Sequence, residues 1–354
     1  VPDILCGAPL NDRDDVSPFL EDTGALYIIY GRTPTGDINL ALAGDPGRRP
    51  PMLRVRGEKP GDQIGWKQEP VRDVDGDSVD DVLFSSPFAD FIIPPGECRG
   101  DFDGDGDIDD DDLNENLFNN CMAQVGVEVF LDDACKVFDY NNDRVIDDFD
   151  RVVFNCLVET GGSSTCCPVD NGYVGIIYGA QDRDGDRTIG QLATTALRGT
   201  IFFGSNRGDR AGQDIASAGD FDKDGFGDIL ITAPGEIRTD DNERERMGVT
   251  YLVFGGPHLV DQEIDLADVG PGKLFRGLVF LSPYVTGRPD EAPTDSVGLL
   301  GDINADGFSD IAIGVTRADL IDEDFPQGGD EPGIGRRPDQ GDAYIIYGNN
   351  VSAD

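Results

Sequence analysis

One phrase recurs four times along the chain: GALYIIYG (Gly24 to Gly31), GYVGIIYG (Gly172 to Gly179), GVTYLVFG (Gly248 to Gly255) and GDAYIIYG (Gly341 to Gly348). Upstream of each stands another, DILCGAP (Asp3 to Pro9), DVLFSSP (Asp81 to Pro87), DILITAP (Asp228 to Pro234) or DIAIGV (Asp310 to Val315). Both carry apolar residues bounded by Gly and Pro, the pattern of short antiparallel strands. Repetition at this scale confines the chain to an array of small sheets, a propeller or a solenoid.

Acidic loops precede three of these strands, with carboxylate or amide side chains at positions 1, 3, 5 and 9: Asp73, Asp75, Asp77 and Asp81; Asp220, Asp222, Asp224 and Asp228; Asp302, Asn304, Asp306 and Asp310. Alternate residues of a tight loop aim their oxygens at one centre, which suits a hard cation taking six to eight oxygens at about 2.3–2.6 Å, Ca²⁺ better than Mg²⁺. Gly225 and Gly307 supply the sharp turn at position 6, where the first loop has Ser78. Asp3 matches position 9 of a further, partial loop. Two longer clusters have twelve-residue, EF-hand-like spacing. One holds Asp101, Asp103, Asp105, Asp107, Asp109 and Asp112; the other holds Asp139, Asn141, Asp143, Val145, Asp147 and Asp150, with Arg144 in place of the turn glycine. Ile108 and Ile146 are placed to pair these two loops, and helices are expected at 113–122 and 149–157. A lone acidic turn is ordinarily a solvated turn. Five in register with strands or helices predict about five complete Ca²⁺ sites and one partial site at the N-terminus.

Composition bears on partners. Asp and Glu number 70 against 28 Lys and Arg, a formal charge of −42, so nucleic acid and anionic membrane surfaces are poor partners, and cations are needed to relieve self-repulsion. With 38% hydrophobic residues, 19 Phe and 9 Tyr, the chain has the material for a core and is not an acidic disordered tail. No apolar run approaches the ~18 residues of a membrane span, so no membrane insertion is expected.

The stretch AGQDIASAGDFDKDGFGDILITAPGE (Ala211 to Glu236) joins a glycine approach, a nine-residue loop and a strand ending in Ala-Pro. It resembles the FG-GAP repeat of integrin α-subunit β-propellers and their bacterial relatives, and the likeness extends over nearly all of the chain outside 96–168. The resemblance implies a mainly β protein, a propeller or propeller segment of about four units with four-stranded blades and Ca²⁺ loops between strands. The repeat arithmetic alone also permits a β-solenoid. Residues 1–95 and 169–354 form the blades in this reading, with a small helical insertion at 96–168. The insertion text, DFDGDGDIDDDDLNENLF and DYNNDRVIDDFDRVVF, resembles a dockerin-type tandem of Ca²⁺ loop and helix. Dockerins bind cohesin modules, which implies partner docking; a structural staple on the propeller rim is the other reading. Cys98, Cys121, Cys135, Cys156, Cys166 and Cys167 lie there. Disulfides suit such a small domain and an oxidising, extracellular or cell-surface location. All pairings stay open, Cys121 with Cys135 being preferred. Cys6 reads as a buried small apolar residue.

Counted in order, the phrases make three whole units and two half-units. Either upstream residues or a neighbouring chain would complete the terminal repeat, the second case giving self-association through the end strands and, if the contact does not close, a filament. No nucleophile elbow, phosphate loop or zinc-protease signature is present. The expectation is therefore an extracellular, calcium-stabilised structural or adhesive protein and not an enzyme. The alternatives are the propeller scaffold of a secreted carbohydrate- or lipid-active enzyme, or docking to a cohesin-like partner. Two RGD tripeptides (Arg99 to Asp101, Arg207 to Asp209) read as incidental, and Trp66 as blade core.

Overall fold

Strands such as DILITA and YIIY carry apolar side chains on both faces, so each sheet needs a neighbour on either side. A computed structural model describes residues 3–12, 22–31, 40, 52–59, 61–89, 170–179, 184–205, 208–239, 245–282, 294–315, 320–321, 336–337 and 341–348. It is mainly β. In chain order the strands are β1 (Ile4–Ala8), β2 (Ala25–Ile29), β3 (Met52–Arg56), β4 (Gln68–Val71), β5 (Asp81–Ser86), β6 (Tyr173–Ile177), β7 (Gly185–Thr188), β8 (Gly199–Phe203) and β9 (Ile215–Gly219). They continue with β10 (Asp228–Thr239), β11 (Glu245–Val253), β12 (Glu263–Asp265), β13 (Gly277–Leu281), β14 (Thr294–Gly301), β15 (Asp310–Val315), β16 (Leu320–Ile321), β17 (Arg336–Arg337) and β18 (Asp342–Ile346). Helix among the described residues is limited to single 3-10 turns, and none is long and apolar enough to cross a membrane.

Four sheets follow one another, each an antiparallel meander and none closed on itself. Their orders are β1-β2-β3-β7, β4-β5-β6-β8-β12, β9-β10-β11-β13 and β14-β15-β18; β16 and β17 form a separate hairpin. The second phrase of every unit becomes the third strand of its meander, except that β2 is second in a first sheet that begins at β1. Two strands leave their own unit. β7 adds in parallel to β3 of the first sheet, and β12 adds in parallel to β8 of the second. The polar sequence of β7 is accommodated by charge: Asp186 accepts from Arg54 and Arg56, each at 2.7 Å.

Successive residues of a strand face opposite neighbours, so two cores flank each sheet. Phe84 and Ile177 join Leu26, Leu53 and Val55 between the first and second sheets. Leu83 and Ile176 point the other way, to Ile229, Ile231 and Tyr251 of the third sheet. Leu230, Leu252 and Phe254 then meet Ile311 of the fourth. A fully buried leucine such as Leu230 contributes about 2 kcal/mol by removal from water. Polar links add to these cores: Ser217 donates its N–H to Glu69 across the second and third sheets, and Val297 donates to Asp214 across the third and fourth.

Candidate metal centre

Each nine-residue loop joins the first strand of a sheet to the second: β4 to β5, β9 to β10, and β14 to β15. The three loops share one hydrogen-bond plan. The position 1 carboxylate accepts from the N–H at position 6: Ser78 to Asp73 at 2.7 Å, Gly225 to Asp220 at 3.4 Å and Gly307 to Asp302 at 2.8 Å. Position 3 accepts from position 5, as Asp75 does from Asp77, Asp222 from Asp224 and Asn304 from Asp306. Position 5 accepts from position 7, as Asp77 does from Val79, Asp224 from Phe226 and Asp306 from Phe308. Such Asx turns curl the backbone and set side-chain oxygens on its inner side.

Curling also sets positions 4 and 6 at positive φ in every loop: Gly76 and Ser78, Lys223 and Gly225, Ala305 and Gly307. Ser78 thus adopts the conformation that glycine takes in the other loops, so the first loop keeps the turn expected of position 6 without its glycine. A side chain there costs about 1–2 kcal/mol. Nothing lies within 4 Å of a Cβ built on Gly225, which leaves backbone conformation as the only term. Gly225→Ala is expected to destabilise by about 1 kcal/mol, and Ser78→Gly to stabilise by about 0.5–1 kcal/mol, both measurable by urea unfolding.

Position 9 does something else. Both oxygens of that aspartate take backbone N–H groups: Asp81 from Val74 (2.7 Å) and Gly179 (2.6 Å), Asp228 from Phe221 (2.7 Å) and Gly255 (2.9 Å), Asp310 from Ile303 and Gly348 (both 2.9 Å). Asp3 repeats half of the arrangement, accepting from Gly31 at 2.5 Å. Each of these aspartates ties its strand to the glycine that ends the partner strand. Asp81, Asp228 and Asp310 are at most 1% exposed. Burial pushes the Asp81 carboxyl up to about 7 and Asp228 up to about 8, against the opposing pull of those N–H groups.

Carboxylate oxygens of Asp73, Asp75 and Asp81 lie within 4.8 Å of one another, as do those of Asp220, Asp222 and Asp228. Oxygens about 2.4 Å from a shared cation would be spread by no more than that, so each trio is compact enough to hold one cation. Asp77 and Asp224, expected as ligands, are outside the trios. Arg276 instead bridges Asp222 at 2.8 Å and Asp224 at 3.2 Å, a partner that sequence spacing did not reveal. In the third loop the Asn304 amide donates to Asp306 at 2.8 Å, and no acidic trio is gathered there among the described residues.

The loops also grip one another. The Phe226 ring covers Gly76, where a Cβ would lie only 2.6 Å from it, and the Lys223 ammonium sits 3.8 Å from the centre of the Phe308 ring. Gly227 donates to the Asp73 carbonyl at 2.7 Å, and Gly256 to that of Val74 at 2.8 Å.

Other sequence expectations have mixed outcomes. The twelve-residue loops at 101–112 and 139–150, their helices and the six clustered cysteines lie outside the described residues. Asp209 of the second RGD is 1% exposed, which removes it from any surface recognition. Trp66 is half-buried, its ring edge-on to Phe88 at 5.0 Å. Cys6 is only partly buried, against the cluster of Tyr27, Ile29 and Met52, since β1 is an edge strand.

No curated protein matches the chain. One stretch, residues 211–244, matches the FG-GAP repeat, and it spans the second acidic loop with the whole of β9 and β10 around it.

Proposed function

We propose that the chain is a calcium-stabilised scaffold of β-propeller type, its four sheets being blades, that works outside the cell in a structural or adhesive role. The observation that carries this reading is the buried aspartate at position 9 of the first two loops, with two further carboxylates converging on it. Each trio is buried to half-buried, and like charges this close repel one another, which a divalent cation would offset; in the second loop Arg276 already offsets part of the charge. Asp73, Asp75 and Asp81 would hold one Ca²⁺, and Asp220, Asp222 and Asp228 a second; Asp302, Asn304, Asp306 and Asp310 would form a weaker third. The cation would supply charge neutralisation and cross-linking, while the chain's own N–H clamps fix the loops. The FG-GAP match and the cysteine-rich 96–168 segment, taken as a dockerin-like calcium module, support an extracellular setting.

Thermal unfolding tests the reading. Extracellular modules bind Ca²⁺ at about 10⁻⁴–10⁻³ M, so 2 mM-order Ca²⁺ contributes roughly 0.6–1.8 kcal/mol per loop. Relative to excess EDTA, Ca²⁺ is expected to raise Tm by about 5 °C or more, and Mg²⁺ by much less. Equal Tm in Ca²⁺, Mg²⁺ and EDTA would sink the proposal.

A second reading is self-association through the end sheets, favoured by exposed apolar residues at both ends, Ile4 on β1 and Tyr344 and Ile345 on β18. Light scattering of the calcium-loaded protein distinguishes it: polymers that dissolve in EDTA support it, and a monomer in both conditions removes it.

A further inference from the structure

The first two acidic loops share a hydrogen-bond plan but differ at position 3. In the first, Asp75 takes the Asp77 N–H on Oδ1 at 3.1 Å, and no donor or ion pair reaches its Oδ2 among the described residues. Arg198 acts on Asp75 from beyond ion-pair distance and is itself held by Asp261 at 3.3 Å. In the second loop both oxygens of Asp222 are taken, Oδ1 by the Asp224 N–H at 3.1 Å and Oδ2 by Arg276 at 2.8 Å. The other arm of the same guanidinium donates to Asp224 Oδ2 at 3.2 Å.

The fold delivers Arg276 to this place. It stands just before β13, and the sheet order β9-β10-β11-β13 puts β11 between it and the strands that the loop joins. Its carbonyl accepts from the N–H of Phe254, just past the end of β11, at 3.1 Å, and its guanidinium carbon is 5.4 Å from the centre of the Phe254 ring. The side chain thus lies across the end of β11. It joins a rim to an interior, because the Arg276 side chain is 42% exposed and that of Asp222 only 2%. Asp222 is also one of the trio that converges with Asp220 and Asp228. A guanidinium brings one charge through directed N–H bonds, whereas a divalent cation brings two and gathers oxygens from every side. Both need the Asp222 carboxylate, and their like charges repel, so each weakens the hold of the other.

We propose that Arg276 is the second loop's own counter-ion, a side chain that holds the loop together without metal and competes with a divalent cation for Asp222 and Asp224. The Phe254 ring keeps it at the rim of the loop in either state. The first loop has no such occupant and serves as the reference. The inference rests on the cation reading of the loops and adds to it a competitor that the protein itself supplies. Loss of Arg276 should therefore act in opposite directions. Without metal, two charge-assisted hydrogen bonds disappear and the carboxylates repel unopposed, so the loop loosens; with metal, the competitor is gone and the cation binds more tightly.

Amide exchange of the full chain over a Ca²⁺ series, read by mass spectrometry in 73–81 and in 220–228, follows each loop by itself. Arg276→Gln should lower the Ca²⁺ concentration that half-protects 220–228 by about threefold to tenfold. The midpoint for 73–81 should move by less than about twofold. In EDTA the same variant should exchange faster than the native protein in 220–228, and more so than in 73–81. Arg276→Lys keeps the charge and loses the two-armed grip, so it should shift the midpoint by a smaller factor, and it serves if the glutamine variant does not fold. Protection of both loops by Ca²⁺ with an unmoved or raised midpoint for 220–228 in these variants would overturn the inference and leave the cation reading standing. Absence of Ca²⁺ protection from either loop, in the native protein and the variants alike, would overturn both together.

Discussion

Asp228→Ala is expected to cost about 3–5 kcal/mol in the presence of Ca²⁺ at neutral pH, more than any other single change considered. The substitution strips partners from two N–H groups, Phe221 and Gly255, which the carboxylate holds at 2.7 and 2.9 Å. A buried donor left without a partner costs about 1–3 kcal/mol, and the vacated space adds to that. Asp228→Asn keeps the volume but turns one acceptor into a donor facing an N–H, so an intermediate loss of about 2–3 kcal/mol is expected. Urea unfolding followed by the fluorescence of Trp66, the only tryptophan, measures both. A loss below about 1 kcal/mol for the alanine variant would show that the clamp does not hold the sheet.

The second large effect is a reversal of pH dependence by the cation. Without it, Asp81 and Asp228 have folded-state values of about 7 and about 8 against an ordinary value of 3.8. Between those limits the folded protein binds more protons than the unfolded chain, so stability falls as pH rises. It is complete below pH ~4 and lost progressively through pH 7 to 8, by a few kcal/mol for each group. In EDTA, Tm is therefore expected to be several degrees higher at pH 5.5 than at pH 8. Protonation competes with Ca²⁺ for the same oxygens, so saturating Ca²⁺ should flatten or invert the trend. Asp228→Asn should remove its own share of the trend without metal and leave that of Asp81. A Tm in EDTA that rises from pH 5.5 to 8 would contradict the buried, cation-free geometry.

Much of the fold was legible because burial on both faces of a strand leaves a dense apolar signature, as in DILITA and YIIY, and because Asx turns need Asp or Asn at fixed spacing. The position 9 aspartates were legible as acids but not as clamps. Their partners are backbone N–H groups, Gly179, Gly255 and Gly348, whose recurrence was visible only as the end of a phrase. Strands β7 and β12 were missed for a different reason. GDRT in β7 is polar and four residues long, and it is held by Arg54 and Arg56, more than a hundred positions earlier in sequence. Arg276 over Asp222 and Asp224 is likewise a contact between distant segments, and no local pattern announces it.

Phe226 on Gly76 and Lys223 on Phe308 make a row in which the second loop touches both others, while the first and third each touch the second. Interactions limited to adjacent members give a row the statistics of a zipper and not of a switch. Disorder that enters one loop raises the chance of disorder in the next and fades with distance, so this edge of the molecule should soften by degrees while the sheets beneath keep their order.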